Sequence, residues 1–332
     1  MAHFKDKYVR NIIKLGNSKA VTFPQEWTEA AQLKEKSEVS MYPINDKMII
    51  IATREDDQRR ILRIDPIKEG KTWSLELLNQ AIISAFKLNV DEIYIKYNDK
   101  IKQNLYELLI KLRQEIIAID FKDIIEKNEF YVQFLLDTSK TDLVDVLKDL
   151  AMVFKTIFES IIEGSKKGKE IEIKNYDLIL AEIDRKYSLG TRILITGLSG
   201  YHLSQGYRNL PIIRFLGNRV VLLYVRDFIN ESFRFLKLPS DTVRKYSELL
   251  EKIPNLLLNL IKNFDNISEE TVSKFQVVLS ELHEELEDIE YDQNYAPDLQ
   301  IRNIIKYYLN AFSNFFDIGI TRMIEGLIQK ND

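Results

Sequence analysis

The chain has 332 residues, of which 45% are hydrophobic and 30% charged, with a net charge of −4 and no cysteine. That length exceeds one ordinary core and predicts two or three domains, and the apolar content excludes a disordered chain. The lack of cysteine excludes a disulfide framework, thiolate zinc sites and cysteine nucleophiles, and the mild acidity excludes a protein that coats nucleic acid over its whole surface while leaving room for one local basic patch.

Only 11 Gly and 7 Pro punctuate the sequence, which favours long helices. The opening run MAHFKDKYVRNIIK carries no apolar h-region, so no signal peptide is expected. No apolar run reaches the roughly 18 residues of a membrane span, and the expectation is a cytoplasmic protein without membrane insertion.

Residues 1–54 read as a small β domain. Short strand patterns fall at Ile12, Ile13 and Leu15, at Val21, Thr22 and Phe23, at Val39 to Pro43, and at Met48 to Ala52 after the turn Asn45-Asp46. Pro24-Gln25-Glu26-Trp27 predicts a helix start, with proline in the first turn. Gly16 permits a tight turn, and Asn17 and Ser18 can bond their own backbone or a phosphate. Lys5, Lys7, Arg10, Lys14 and Lys19 make this end basic, against only Asp6. Such charges can neutralise phosphates with a salt-dependent affinity, and the fork of Arg10 suits a guanine edge.

Residues 55–137 alternate between helix and strand and read as a small α/β domain. A helix is predicted from Ser74, as N-cap, to Leu88, with Leu75, Leu78, Ile82 and Phe86 on one face. A strand is predicted at Glu92–Tyr97, a helix from Ile101 to Gln114, and strands at Ile116–Asp120 and Glu129–Leu135.

The rest is helical by periodicity, with breaks at Gly164 to Gly168, Gly200 to Leu210, Leu238 to Ser240, Asp265-Asn266 and Asp292 to Pro297. These leave two groups of three long amphipathic helices, residues 138–238 and 239–332. The third helix of each group sets one acid in an apolar stretch, Asp227 in the first and Asp317 in the second, as an internal duplication would. The aromatics Tyr307, Tyr308, Phe312, Phe315 and Phe316 are expected in the core or at an interface.

Lys14-Leu15-Gly16-Asn17-Ser18-Lys19-Ala20-Val21-Thr22-Phe23-Pro24, with Trp27 behind it, resembles the AbrB/SpoVT and MazE-like family over Tyr8 to Arg54. That resemblance implies a swapped-hairpin barrel shared by two chains, hence a homodimer, and contacts to double-stranded DNA through Arg10, Lys14, Asn17, Ser18 and Lys19. Solvated charges on a barrel used only for dimerisation are the plainer alternative for the same residues.

Beyond residue 54 the chain resembles archaeal PhoU-related proteins that carry an AbrB domain in front. The matching stretches are Leu75 to Ile95, Val132 to Asp137 and Glu182-Ile183-Asp184-Arg185-Lys186-Tyr187, with Arg192 at the place of a following family arginine. The resemblance implies two three-helix bundles, a role in regulating phosphate uptake, and partners such as a phosphate transporter or a signalling protein.

It also implies a divalent or iron-type metal on the bundle faces, held by acids four residues apart. Only Glu284 and Asp288 form the complete pair, while Asp184, Asp227 and Asp317 lack it and leave Asp177, Glu182 and Glu281 as substitutes. His202 and His283 are the histidines within reach of such a role, and His3 lies near the terminus.

Gly164 to Lys169 lacks the spacing of a phosphate loop, and no nucleophile elbow, zinc-protease motif, dinucleotide fingerprint or triad occurs, so no enzyme activity is expected. The sequence therefore predicts a DNA-binding transcriptional regulator whose bundles sense a signal or dock a partner. An adaptor that only dimerises through its barrel, and a sequence-nonspecific architectural DNA-binding protein, are the other readings.

Overall fold

Two periodicities, 2 and 3.6, divide the structure into short paired strands and long helices. The computed structural model describes residues 8–43, 49–53, 60–68, 71–168, 173, 175–198, 212–263 and 267–331. His3, Lys5, Asp6, Lys7, the turn Asn45-Asp46, Met48, Arg54, Lys169, the break at Gly200 to Leu210 with His202, and Asp265-Asn266 lie outside them. The chain divides into two units, Met1–Gln58 and Arg59–Asp332.

In the first unit, β1 (Ile13–Leu15) pairs antiparallel with β2 (Ser18–Ala20), α1 covers Gln25–Ala30, and β3 (Val39–Pro43) pairs antiparallel with β4 (Ile49–Thr53). The second strand was expected at Val21 to Phe23. It begins at Ser18 because Gly16 and Asn17 alone make the turn, Gly16 taking φ +59°, the sign that a type II′ hairpin needs at its first central position. Among the described residues the strands form two separate hairpins and no closed barrel.

The second unit opens with a four-stranded sheet in the order β5 (Ile61–Ile64), β8 (Glu92–Lys96), β10 (Glu129–Phe134), β9 (Ile119–Ile124); the small hairpin of β6 (Ile67–Lys68) and β7 (Lys71–Thr72) precedes α2. β5 runs parallel to β8, and α2 (Leu75–Lys87) makes the crossover that parallel strands require. Ser74 caps α2 by accepting the amide of Leu77, and Asn98 caps α3 (Asp99–Glu115) by accepting those of Lys100 and Ile101.

Leu78, Ile82 and Phe86 of α2 and Leu105, Leu109 and Leu112 of α3 bury against Ile93, Ile95, Phe130 and Val132 of the sheet. Leu75 was expected on this face but is exposed, because it opens the helix before the chain has reached the sheet. The strand predicted at Ile116 starts at Ile119 instead: Ile116 closes α3, and Ala118 at φ +55° turns the chain.

The helical part holds α4 (Leu143–Lys166), α5 (Tyr176–Leu198), α6 (Ile212–Ser232), the short α7 (Ser240–Lys245), α8 (Ser247–Lys262), α9 (Glu269–Asp288) and α10 (Ala296–Asn331). α4 runs through the predicted break at Gly164 and stops at Lys167-Gly168, where Gly168 takes φ +61°.

The two groups of long helices share one core. Phe154 and Phe158 of α4, Phe228 of α6 and Tyr308 of α10 lie ring to ring at 4.5 to 5.8 Å, and the Tyr308 hydroxyl donates to the carbonyl of Phe228. The protein is mainly helical with a small sheet region, and no helix among the described residues is long and apolar enough to cross a membrane.

Candidate nucleic-acid interface

The register of the first hairpin sets Lys14 directly opposite Lys19, Leu15 opposite Ser18, and Ile13 opposite Ala20. Side chains alternate along a strand, so the two lysines share one face while Ile13, Leu15, Ser18 and Ala20 share the other. Cross-strand neighbours stand about 5 Å apart at Cβ, where like charges repel. Both lysines are exposed, and from Tyr8 to Gln25 the sequence has three cations and no acid. Among the described residues the hairpin therefore concentrates positive charge with no acid beside it in sequence.

Arg10 precedes β1, exposed, donating to the carbonyl of Val9 at 3.2 Å with its guanidinium 5.8 Å from the ring of Tyr8. Asn17 is exposed in the turn itself. The structure thus brings Lys14 and Lys19 together, sets Asn17 at the tip beside them, and turns Ser18 to the face with Leu15.

That second face is apolar and open. Leu15 is 67% exposed and Ile13 50%, and Val9 and Ile12, in the segment before β1, are exposed as well. Among residues 8–39 no side chain is buried, and the ring contact of Phe23 with Trp27, 5.0 Å apart, is the kind of packing the unit offers instead. Burying a side chain such as Ile or Leu is worth about 1.5–3 kcal/mol, so covering this face would add stability to the unit.

The acids expected to hold a metal lie apart. Asp184 on α5 is exposed and accepts from Arg226 of α6 at 3.1 Å. Asp227 is half-buried on α6, and burial pushes its carboxyl above the ordinary carboxylate range against the pull of Arg226. Asp317 on α10 and the Glu284–Asp288 pair on α9 are exposed. The neighbours of that pair are spent on ion pairs, Glu285 with Lys252 and Glu287 with Arg302 and Lys306. Of the substitutes, Glu182 pairs with Arg185 and Lys186, while Asp177 and Glu281 stay in solvent, and His283 is half-buried on α9. No three His, Asp or Glu side chains among the described residues converge on a point that would take a metal ion.

Arg192 has a different role from a surface contact. It is 1% exposed, and its Nη1 donates to the carbonyls of Phe86 at 2.7 Å and Val90 at 3.1 Å, with Asp91 at 3.9 Å. Burial pulls its guanidinium down to about 10, against the opposite pull of Asp91, so it stays charged at neutral pH. A cation on the last carbonyls of a helix meets the negative end of its dipole, and Arg192 thereby ties α5 to the end of α2. Arg302 does the same at the end of α9, donating to Leu286 and Ile289.

Sequence patterns alone did not single out Lys87, Arg219 and Arg226, which gather around Tyr187. Their signal was helical spacing: Arg219 and Arg226 stand seven apart on α6, and Asp184, Tyr187 and Thr191 recur at three and four on α5. No protein-family model matches the chain, and no curated protein and no solved structure matches it either.

Proposed function

We propose that the protein is a DNA-binding transcriptional regulator of the AbrB–PhoU kind, acting as a homodimer. The first unit contacts the duplex, and the helical unit receives a signal or a partner, in phosphate uptake or a related homeostatic process. The observation that carries the proposal is the two-faced hairpin: Lys14 opposite Lys19 on one face, and exposed Ile13 and Leu15 on the other. A cationic face without acids suits phosphates, and an exposed apolar face suits a second copy of the same hairpin, whose strand edges one chain leaves open. No catalytic step is part of this proposal.

Fluorescence anisotropy of labelled duplex DNA across a salt series tests it, with the full chain beside a variant carrying Arg10→Ala, Lys14→Ala and Lys19→Ala. The full chain should bind, with preference for particular promoter duplexes. The variant should lose at least about tenfold in affinity, and its salt slope should fall by roughly one for each phosphate contact removed. Equal binding to all duplexes with a steep salt slope would instead identify an architectural protein. No binding to any duplex at low salt overturns the proposal and leaves the hairpin as a dimerisation device on an adaptor.

A further inference from the structure

Tyr187 of α5 is the meeting point of three cations from two neighbouring helices. The guanidinium of Arg226 lies 4.5 Å from its ring centroid, that of Arg219 5.0 Å, and the ammonium of Lys87, at the end of α2, 5.5 Å. All three side chains are half-buried. Arg219 is fixed in place: its Nη1 donates to the Thr191 hydroxyl at 2.9 Å, and that hydroxyl donates to the Tyr187 carbonyl at 2.8 Å.

Both carboxylates near these charges serve Arg226: Asp184 pairs with it, and Asp227, the next residue along α6, lies within reach of its charge. Among the described residues neither Lys87 nor Arg219 has a carboxylate at ion-pair distance. Residues 199–211, which link α5 to α6, contain no Asp or Glu. Pairing is otherwise the habit of this unit: Arg234 has Glu231, Arg244 has Asp241, Arg302 has Glu287. Lys87 registers the imbalance, since burial and then the charges of Arg226 and Arg219 hold its ammonium below the ordinary lysine range, with Asp184 pulling the other way. A cation over an aromatic ring gains from the ring's quadrupole, yet the ring cancels none of the repulsion among the three.

We propose that Lys87, Arg219 and Arg226 form a binding site for a phosphate-class oxyanion, either inorganic phosphate or the phosphate of a small nucleotide. Charge selects the class: Asp184 and Asp227 flank Arg226, so Lys87 and Arg219 leave two positive charges without a carboxylate at ion-pair distance among the described residues, which a phosphate dianion neutralises and a monoanion does not. Geometry agrees: Arg226 turns Nε and Nη2 to Asp184, whereas Arg219 spends Nη1 on Thr191 and keeps its other donors for the paired oxygens of a phosphate, with Lys87 adding a point charge. The site joins the sheet to the helical bundle, through α2 on one side and α5 and α6 on the other. Only the idea that this anion is the regulator's signal rests on the proposed function; the binding itself does not.

Isothermal titration calorimetry of the full chain with inorganic phosphate, and separately with adenosine monophosphate, tests the site. The variants are Lys87→Gln and Arg219→Gln, with Arg244→Gln, far along α7, as control. One anion should bind per chain and raise Tm. Each site variant should weaken binding at least about tenfold, the weight of one charge-assisted hydrogen bond, and the control should not. Tighter binding of the nucleotide would identify it as the source, and equal binding would identify free phosphate. Circular dichroism checks the fold; should Arg219→Gln unfold the bundle, Lys87→Gln at the helix end carries the test. No heat and no Tm shift with either anion at millimolar concentration, or unchanged binding in the folded site variants, overturns the proposal. Anion binding without DNA binding would sink the DNA proposal alone, and the reverse would sink this one alone.

Discussion

The two units of the chain solve the problem of apolar surface in opposite ways. In the second unit Leu78, Phe86, Phe130, Phe154 and Tyr308 are inside, and most surface arginines have a carboxylate partner. In the first, Val9, Ile12, Ile13 and Leu15 are outside, and the cations of the hairpin have no acid near them in sequence. The second unit builds a large core of its own, although side chains such as Ile125 and Leu178 stay exposed. The first has its unmet requirements sorted by face, apolar on one side and cationic on the other, so two different partners can meet them at once. Alternation along one short hairpin is enough to produce that separation.

The largest expected effect strikes the apolar face. Replacing Ile13 and Leu15 together by Glu should weaken the proposed self-association at least about a thousandfold, since each chain would set two charges where the proposed dimer buries two apolar side chains. Sedimentation velocity at micromolar concentration should then show a monomer with the helical content intact. A variant that still sediments as the parent protein does would break the comparison, because the face would have no part in assembly.

A smaller loss is expected from the second unit's buried cation. Arg192→Ala should cost about 3 kcal/mol in urea unfolding, as the carbonyls of Phe86 and Val90 lose their donor inside the protein. Arg192→Lys should recover little of it, because one ammonium does not reproduce the fork. A cost below about 1 kcal/mol would mean that water replaces the guanidinium, and the contrast in self-sufficiency would shrink.

The smallest effect has an unusual sign. Lys14→Gln removes a like charge opposite Lys19 and should stabilise the first unit by about 0.2–1 kcal/mol while weakening DNA binding. The sequence has two tryptophans, Trp27 in α1 and Trp73 in the second unit, so Trp27 fluorescence in a Trp73→Phe background reports the first unit alone. Destabilisation in that assay would show that the lysines are already compensated.

Local features were legible before the structure. Ser74 as a cap, the buried stripe at Leu78, Ile82 and Phe86, and the turn at Gly16 all follow from spacing and backbone preference. What escaped was whatever depends on how elements meet. Ser18 and Lys19 lie on opposite faces because side chains alternate along a strand, but that Lys19 meets Lys14 is set by the register across the turn. Arg192 followed Tyr187 in an unremarkable helix, and its partners lie at Phe86 and Val90, a hundred residues earlier. The stripe of Arg219 and Arg226 and the stripe of Asp184, Tyr187 and Thr191 are each visible by period. That they face each other, with Lys87 above, is a matter of packing that no window of sequence contains. For the acids at Asp227, Asp317 and Glu284 a shared metal came only from the resemblance, and among the described residues no three ligating side chains converge.

The guanidinium of Arg192 has a consequence for how the second unit comes apart. It is anchored on the bundle helix α5 but satisfies the carbonyls that end α2, which belongs to the sheet. Peeling the sheet from the bundle would take the carbonyls of Phe86 and Val90 off their donor and pull the rings of Phe86 and Phe134, 5.0 and 5.8 Å away, from the guanidinium. Neither part can therefore open while the other stays closed without a large penalty, and the two should melt as one cooperative transition in calorimetry. Amide hydrogens at the end of α2 should then exchange only as fast as those of the buried helices, although they sit in the smaller of the two layers.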